Sequence, residues 1–392
     1  MSAPFEPLLV TQPADLQRLC KELRRAGSFA FDTEFVGEET YKPDICLLQV
    51  ATDELHALVD PIAGLDTKPL WQMIADPKIE KILHAGTEDL ALAWRHFGLK
   101  PANIVDLQIA AGFVGFGHPI SLGRLATVTL HTKLHKSQTL TDWRRRPLQG
   151  EQLRYAVEDV VHLPAMWREI RTRIEKLGRA EWLSEECLAL CETATRNSTD
   201  EKRIRRLRGT ASMTRKQLAI VHAVLVQRDE LARRLNRPPR TVLKDHLVVE
   251  LARHGWTDPE KIRTLRGINL AAADLKRLAR AIADAKAASP DSWPAQEPSE
   301  PAPDEEVLLS LLTAILRAWC DDHDLAYSLL ATKQDLRNLL RGDNPDPPGV
   351  PRSALTQGWR AAAVGDLLDR VLHGKASIRI ASRGDSRRLV VE

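Results

Sequence analysis

The stretch S-F-A-F-D-T-E-F-V, Ser28 to Val36, is apolar and strand-like, yet it carries two acids near its middle. Side chains alternate faces along a strand, so Asp32 and Glu34 share one face while Phe31, Thr33 and Phe35 share the other. A strand this apolar belongs inside a domain. There, two carboxylates on one face repel each other and lose their hydration, so they need a cation or they cannot both stay ionised. Acids that could join them must come from elsewhere in the chain.

The surrounding sequence reads as an α/β unit. Asp15 to Gly27 is an amphipathic helix with a basic end and a glycine stop. The runs F-A-F-D-T-E-F, I-C-L-L-Q-V-A-T and H-A-L-V-D-P, separated by short polar turns, predict neighbouring strands joined by tight connections. K-I-L-H-A-G (Lys81 to Gly86) is a further short strand, followed by the helix T-E-D-L-A-L-A-W-R-H-F-G with Thr87 expected as its N-cap. Asn103 to Gly123 passes from a strand or helix start into a glycine-rich loop, and a long helix begins near Glu151. Antiparallel strands first and helices afterwards imply a mixed sheet with helices packed on it.

From about Asp200 the pattern is helical. Arg215 to Leu235 places Leu218, Val221, Leu225 and Ala232 at helical spacing, N-R-P-P-R breaks the run, and V-L-K-D-H-L-V-V-E-L-A-R-H-G starts the next helix. Residues 201–290 hold 21 Lys and Arg against 9 Asp and Glu, a net +12 within a chain of net charge +3. Such a block fits a polyanionic partner or a set of solvated helix faces. Asp291 to Glu306 then brings six acids, no Lys or Arg, and many prolines, which reads as a linker. A third helical unit runs from Glu306, and S-I-R-I-A-S-R with R-R-L-V-V-E predicts a terminal hairpin.

At 392 residues, two or three domains are expected. No apolar run reaches the roughly 18 residues of a membrane span, and M-S-A-P-F-E-P has no secretory pattern. Five cysteines form no disulfide framework and fit a reducing compartment, so the cytoplasm is the expected location. Cys187 and Cys191, one helical turn apart, read as packing rather than metal binding. G-F-V-G-F-G lacks the strand–turn–helix setting of a dinucleotide loop, and consecutive positions in D-D-H-D (Asp321 to Asp324) do not converge on one ion.

Taken singly, Asp89 in a first helical turn and the i,i+4 pair Tyr155 and Asp159 are ordinary features. Their order gives them meaning. F-D-T-E, H-A-G-T-E-D-L and Y-A-V-E-D-V-V-H-L resemble the three exonuclease motifs of the DEDD family, in the subclass with tyrosine in the third motif. K-S-Q-T-L-T-D-W-R-R-R-P-L (Lys136 to Leu148) resembles the segment before the third motif in the ribonuclease D family, so the resemblance covers roughly residues 8–175. The basic helical block, with Q-R-D-E-L-A-R and N-R-P-P-R-T-V-L-K-D, looks like an HRDC domain. L-L-A-T-K-Q-D-L and L-T-Q-G-W-R-A-A-A-V-G-D-L-L resemble the tail module of the same family, as a divergent second copy.

The resemblance implies an α/β ribonuclease H-like exonuclease domain, a mixed sheet flanked by helices, followed by two all-α HRDC-type helical modules. The expected division is exonuclease domain 1–192, connector 193–210, HRDC domain 211–288, acidic Pro-rich linker 289–306 and C-terminal HRDC-like domain 307–392. Asp32, Glu34, Asp89 and Asp159 would be the metal carboxylates and Tyr155 the motif tyrosine. Oxygen-only ligands suit two divalent cations, Mg²⁺ or Mn²⁺. With a reference pKa of about 10, Tyr155 is a poor base at neutral pH and is expected to orient the attacking water.

Three further residues are candidates for substrate contact, each with a structural alternative. Gln49 would face the terminal nucleotide or hydrogen-bond within the sheet; His84 would touch substrate or serve as a structural histidine; Lys136 would hold a phosphate or be merely solvated. The implied activity is a metal-dependent 3′→5′ exoribonuclease that releases 5′-mononucleotides and trims structured RNAs such as tRNA precursors. The alternatives are a DNA exonuclease of the same fold and a non-catalytic nucleic-acid-binding protein. The expected partner is RNA, with no membrane and with the oligomeric state open.

Overall fold

A computed structural model describes residues 7–134, 141–195, 203–204, 206–210, 212–294, 304–342, 353–383 and 386–392. Its centre is a six-stranded mixed sheet in the order β1-β4-β3-β2-β5-β6. The strands are β1 (Leu8–Val10), β2 (Ser28–Val36), β3 (Asp44–Ala51), β4 (His56–Val59), β5 (Glu80–Leu83) and β6 (Ile104–Asp106). β2, β3 and β4 form an antiparallel meander, whereas β1 joins β4, β5 joins β2 and β6 joins β5 in parallel. The short turns after β2 and β3 permit only antiparallel return, while the longer crossovers bring the parallel strands in.

The two faces of β2 meet different partners. Phe29 and Phe31 are fully buried with Leu48, Val50 and Val59 beneath α1 (Pro13–Ala26), α2 (Lys68–Ile74) and α3 (Thr87–Phe97). Phe31 meets Trp71 edge-on at 5.4 Å, and Trp71 stacks on Phe97 at 5.6 Å. Two such aromatics bury a large apolar area and lock the strand against rotation about its axis. The opposite face carries Ala30, Asp32 and Glu34 toward α6 (Gly150–Val161) and α7 (Leu163–Lys176). The register sets Asp32 opposite Gln49 and Glu34 opposite Leu47, and it breaks between Glu34 and Phe35.

One local expectation is corrected. Gly86, not Thr87, is the N-cap of α3, and Thr87 is its first helical residue. The turn is built instead by Asp106, which accepts from the backbone N–H groups of Ala85 and Gly86 at 3.0 Å each. Ala85 takes a left-handed φ of 59° to allow it. Gly86 is required there, because a Cβ would lie 2.5 Å from Leu83.

Beyond β6 come α4 (Leu107–Gly112), α5 (Leu122–Leu130) and, after α7, α8 (Ala180–Thr195). The central helical unit is built on α9 (Arg215–Leu235), with α10 (Pro239–Val242), α11 (Asp245–His254), α12 (Pro259–Arg263) and α13 (Ala272–Ala287). Thr214 and Gln217 form a capping box at the start of α9, and Asn236 ends it at φ 48°. The unit has its own core around Val221, Val224, Leu225, Val248 and Ile282, which Ile204 and Leu207 of the preceding stretch join.

The last unit comprises α14 (Glu305–Asp322), α15 (Tyr327–Leu330), α16 (Lys333–Arg341), α17 (Gly358–Leu372) and the antiparallel hairpin β7 (Ile378–Arg383) and β8 (Ser386–Val391). It has no separate core among the described residues. Leu309, Leu316, Leu330 and Trp359 are buried in one cluster with Phe113, Trp167 and Leu183 of the α/β unit. All five cysteines are free and buried, Cys187 and Cys191 in two different clusters.

Candidate active site

Four carboxylates converge where β2, α3 and α6 meet. β2 supplies Asp32 and Glu34, the first turn of α3 supplies Asp89, and the middle of α6 supplies Asp159 with Tyr155 one turn before it. They repel one another through an environment that solvates them poorly. Burial, then the charges of Asp89, Asp159 and Glu34, push the Asp32 carboxyl well above the usual range. Burial followed by Asp159 and Asp89 raises Glu34 to about 8. Asp159 rises to about 7 and Asp89 to about 6, with burial the leading cause in both.

Specific donors temper this. The Thr33 hydroxyl donates to Asp89, and the Thr33 backbone N–H pulls in the same direction. Tyr155 donates to Asp159, which lowers the acid. The phenol itself, pushed far up by burial and by Asp159, stays protonated at every working pH.

The segment before α6 holds the tyrosine in place. Trp143 is buried and its ring lies 6.0 Å from that of Tyr155. Arg146 grips Asp60 through two bonds of 2.6 and 2.8 Å and donates to the Cys46 carbonyl at 2.7 Å. That planar fork pins the D-W-R-R-R-P segment to β3 and to the end of β4. Arg144 reaches Glu39 at 2.7 Å, tying the same segment to the loop between β2 and β3.

The donor set fits a hard divalent cation: it is all oxygen, it is partly desolvated, and the charges of Asp89 and Asp159 raise the pKa of both Asp32 and Glu34. Among the described residues no three His, Cys, Asp or Glu side chains stand close enough to enclose an ion as they are. A bound cation, or a proton at lower pH, would relieve the repulsion among them.

The remaining candidates fall elsewhere. Gln49 is fully buried, so no surface is left for contact with a nucleotide; it lies under α6 opposite Asp32. His84 sits behind the α3 turn, hydrogen-bonded to the Ile120 backbone and close to Asp106, with burial lowering its pKa. Lys136 lies outside the described residues. Thr33, Asp106, Trp143 and Arg146 went unassigned from sequence, although Thr33, Trp143 and Arg146 stand within motifs. Asp106 had one readable signal: an Asp between a strand and a helix, where it caps α4 by accepting from the Gln108 N–H at 2.8 Å.

Comparison with known proteins gives a consistent picture. A family described as 3′-5′ exonuclease matches residues 7–175, and the HRDC domain family matches residues 217–282. Ribonuclease D of Gluconacetobacter diazotrophicus is 33% identical over 92% of this chain and 91% of its own. Ribonuclease D of Granulibacter bethesdensis is 34% identical over 92% of this chain and 91% of its own. Among solved structures, Escherichia coli RNase D, described as an exoribonuclease involved in structured RNA processing, is similar with a TM-score of 0.80 at 25% identity. The match covers 94% of this chain and 99% of that one.

Proposed function

We propose, for a chain that belongs to the ribonuclease D family, that Asp32, Glu34, Asp89 and Asp159 hold two divalent cations, Mg²⁺ or Mn²⁺, at the junction of β2, α3 and α6. The enzyme is a 3′–5′ exoribonuclease that hydrolyses phosphodiester bonds from RNA 3′ ends. The observation that carries the site assignment is convergence: from three distant parts of the chain, the charges of Asp89, Asp159 and Glu34 all bear on the buried Asp32 carboxyl, and those of Asp159 and Asp89 bear on Glu34. When bound, the cations supply charge neutralisation at the scissile phosphate and acidify the attacking water.

The protein groups then have distinct tasks. Phe31, locked against Trp71, keeps the acidic face of β2 turned to the cleft. Thr33 fixes Asp89, and the Asp106-built turn fixes the start of α3 that carries it. Tyr155 donates to Asp159, leaving its phenol oxygen to accept a hydrogen bond from the attacking water. It orients rather than deprotonates, because a phenol this strongly shifted is no base near neutrality.

The products are 5′-mononucleotides, and the substrates are structured RNA 3′ ends such as tRNA precursors. The net +12 of residues 201–290 supports phosphate contacts there, which makes binding strongly salt-dependent. The cytoplasm suits five unpaired cysteines, and no helix among the described residues is long and apolar enough to cross a membrane.

The test is purified protein on 3′-labelled single-stranded RNA, matched DNA and a tRNA precursor, with Mg²⁺, Mn²⁺ or EDTA. Asp32→Asn should cut turnover at least about 10³-fold while keeping RNA binding and fold. Retained turnover would remove Asp32 from the ligand set.

A further inference from the structure

Gln49 stands in the middle of β3 at 0% exposure, and neither its amide nitrogen nor its amide oxygen has a hydrogen-bond partner. A buried polar group left unsatisfied costs about 1–3 kcal/mol. Leucine or valine would fill that position without this cost, so the amide needs a reason to be there.

The register supplies one. Gln49 is paired with Asp32 across β2 and β3, and with Leu58 across β3 and β4. Directly opposed side chains have Cβ atoms about 5 Å apart, well within the reach of a glutamine amide. Along β3, the same face carries Leu47 and Ala51, and above it α6 buries Ala156, Val157 and Val160. Asp32 is thus the polar cross-strand neighbour of an otherwise apolar nest. A charged donor here would neutralise the acid and compete with a cation, whereas an amide donates without adding charge.

We propose that Gln49 is a positioning residue for Asp32: its Nε2 donates to one Asp32 carboxylate oxygen when a cation is bound, leaving the other oxygen for the ion. The proposal rests on the reading of Asp32 as a metal ligand. Partners of this kind orient ligating carboxylates, and losing one typically weakens metal affinity about 10–100-fold.

The test uses the full chain without RNA. Mn²⁺ affinity is measured by calorimetric titration for wild type, Gln49→Met and Gln49→Leu, with the Tm of each in EDTA. Both variants should bind Mn²⁺ at least about 10-fold more weakly, keep or raise their Tm, and retain the wild-type KM for RNA at saturating metal. Wild-type Mn²⁺ affinity in either folded variant overturns the proposal, and so does a lowered Tm with unchanged affinity, which marks a packing residue only. Should both variants fail to fold, the assigned Gln49 side-chain amide signals of labelled wild-type protein must move on Mg²⁺ addition; unmoved signals overturn it. Asp32→Asn separates the two readings. If it binds Mn²⁺ like wild type, the ligand assignment fails; if it loses binding while the Gln49 variants do not, only the present inference fails.

Discussion

The two helical units are joined to the α/β unit in opposite ways. The C-terminal unit is fused to it through apolar packing: Trp359, 2% exposed, stacks on Trp182 at 5.2 Å and meets Phe113 edge-on at 5.0 Å. Charged groups seal that joint. Arg360 bonds Glu186 at 2.6 Å, and buried Arg179 donates to the carbonyls of Phe113, His323 and Asp324. Gly358, at φ 52°, lets the start of α17 come so near α8 that a Cβ would sit 1.8 Å from Glu185. The central unit touches the α/β unit by a polar latch at the loop after β2. The Tyr41 N–H donates to Asn236 at 3.3 Å, and Arg233 lies 5.6 Å over the Tyr41 ring. A shared core makes one cooperative body, whereas a few exposed polar contacts leave a unit with its own core free to unfold by itself.

Calorimetry can break or sharpen this contrast. The largest effect is expected from Trp359→Ala, which should cost about 3–5 kcal/mol and lower the transition of the fused body while that of the central unit stays put. If both move together, the latch couples more than its contacts suggest. Next comes pH. The acids of the cleft have folded-state pKa values raised above their ordinary range, so the folded chain holds these protons more tightly than the unfolded chain. That stabilisation is complete below about pH 4 and is lost as pH rises through the values of about 6, 7 and 8. In EDTA the fused body should therefore melt at least about 3 °C lower at pH 8.5 than at pH 5. Mg²⁺ should restore it at the higher pH, with the central unit indifferent to both. A Tm independent of pH and metal would contradict the acidic-cleft assignment.

Thr33→Val should come third. It removes a donor to Asp89 worth about 1.5–3 kcal/mol, lowers turnover about 10-fold or more, and should be rescued by Thr33→Ser. The smallest effect belongs to Tyr41→Ala combined with Asn236→Ala, under about 1 kcal/mol on either transition. Its signature should be mechanical: a larger radius of gyration in solution scattering with both melting temperatures unchanged.

Much of the fold was legible because its signals are local. Periodicity and end signals bounded Arg215–Leu235 to the residue, the alternation in Ser28 to Val36 put Phe31 in the core and Asp32 on the opposite face of the strand, and the terminal hairpin was visible in its own pattern. Thr87 misled for an equally physical reason: a good capping residue stood one place too late, while Asp106, nineteen positions on by the numbering, built the turn.

By itself, then, the sequence determined which residues carry charge, which carry apolar surface and with what period, because those relations hold between near neighbours in the chain. It thereby determined the strand, its acidic face and the order of the motifs. Only the tertiary structure decided which faces close on one another. It made Thr33 the support of Asp89, buried the Gln49 amide opposite Asp32, and placed the C-terminal helices in the core of the α/β unit rather than around one of their own. Those contacts join residues far apart along the chain, and no local pattern specifies the partner that a buried face will meet.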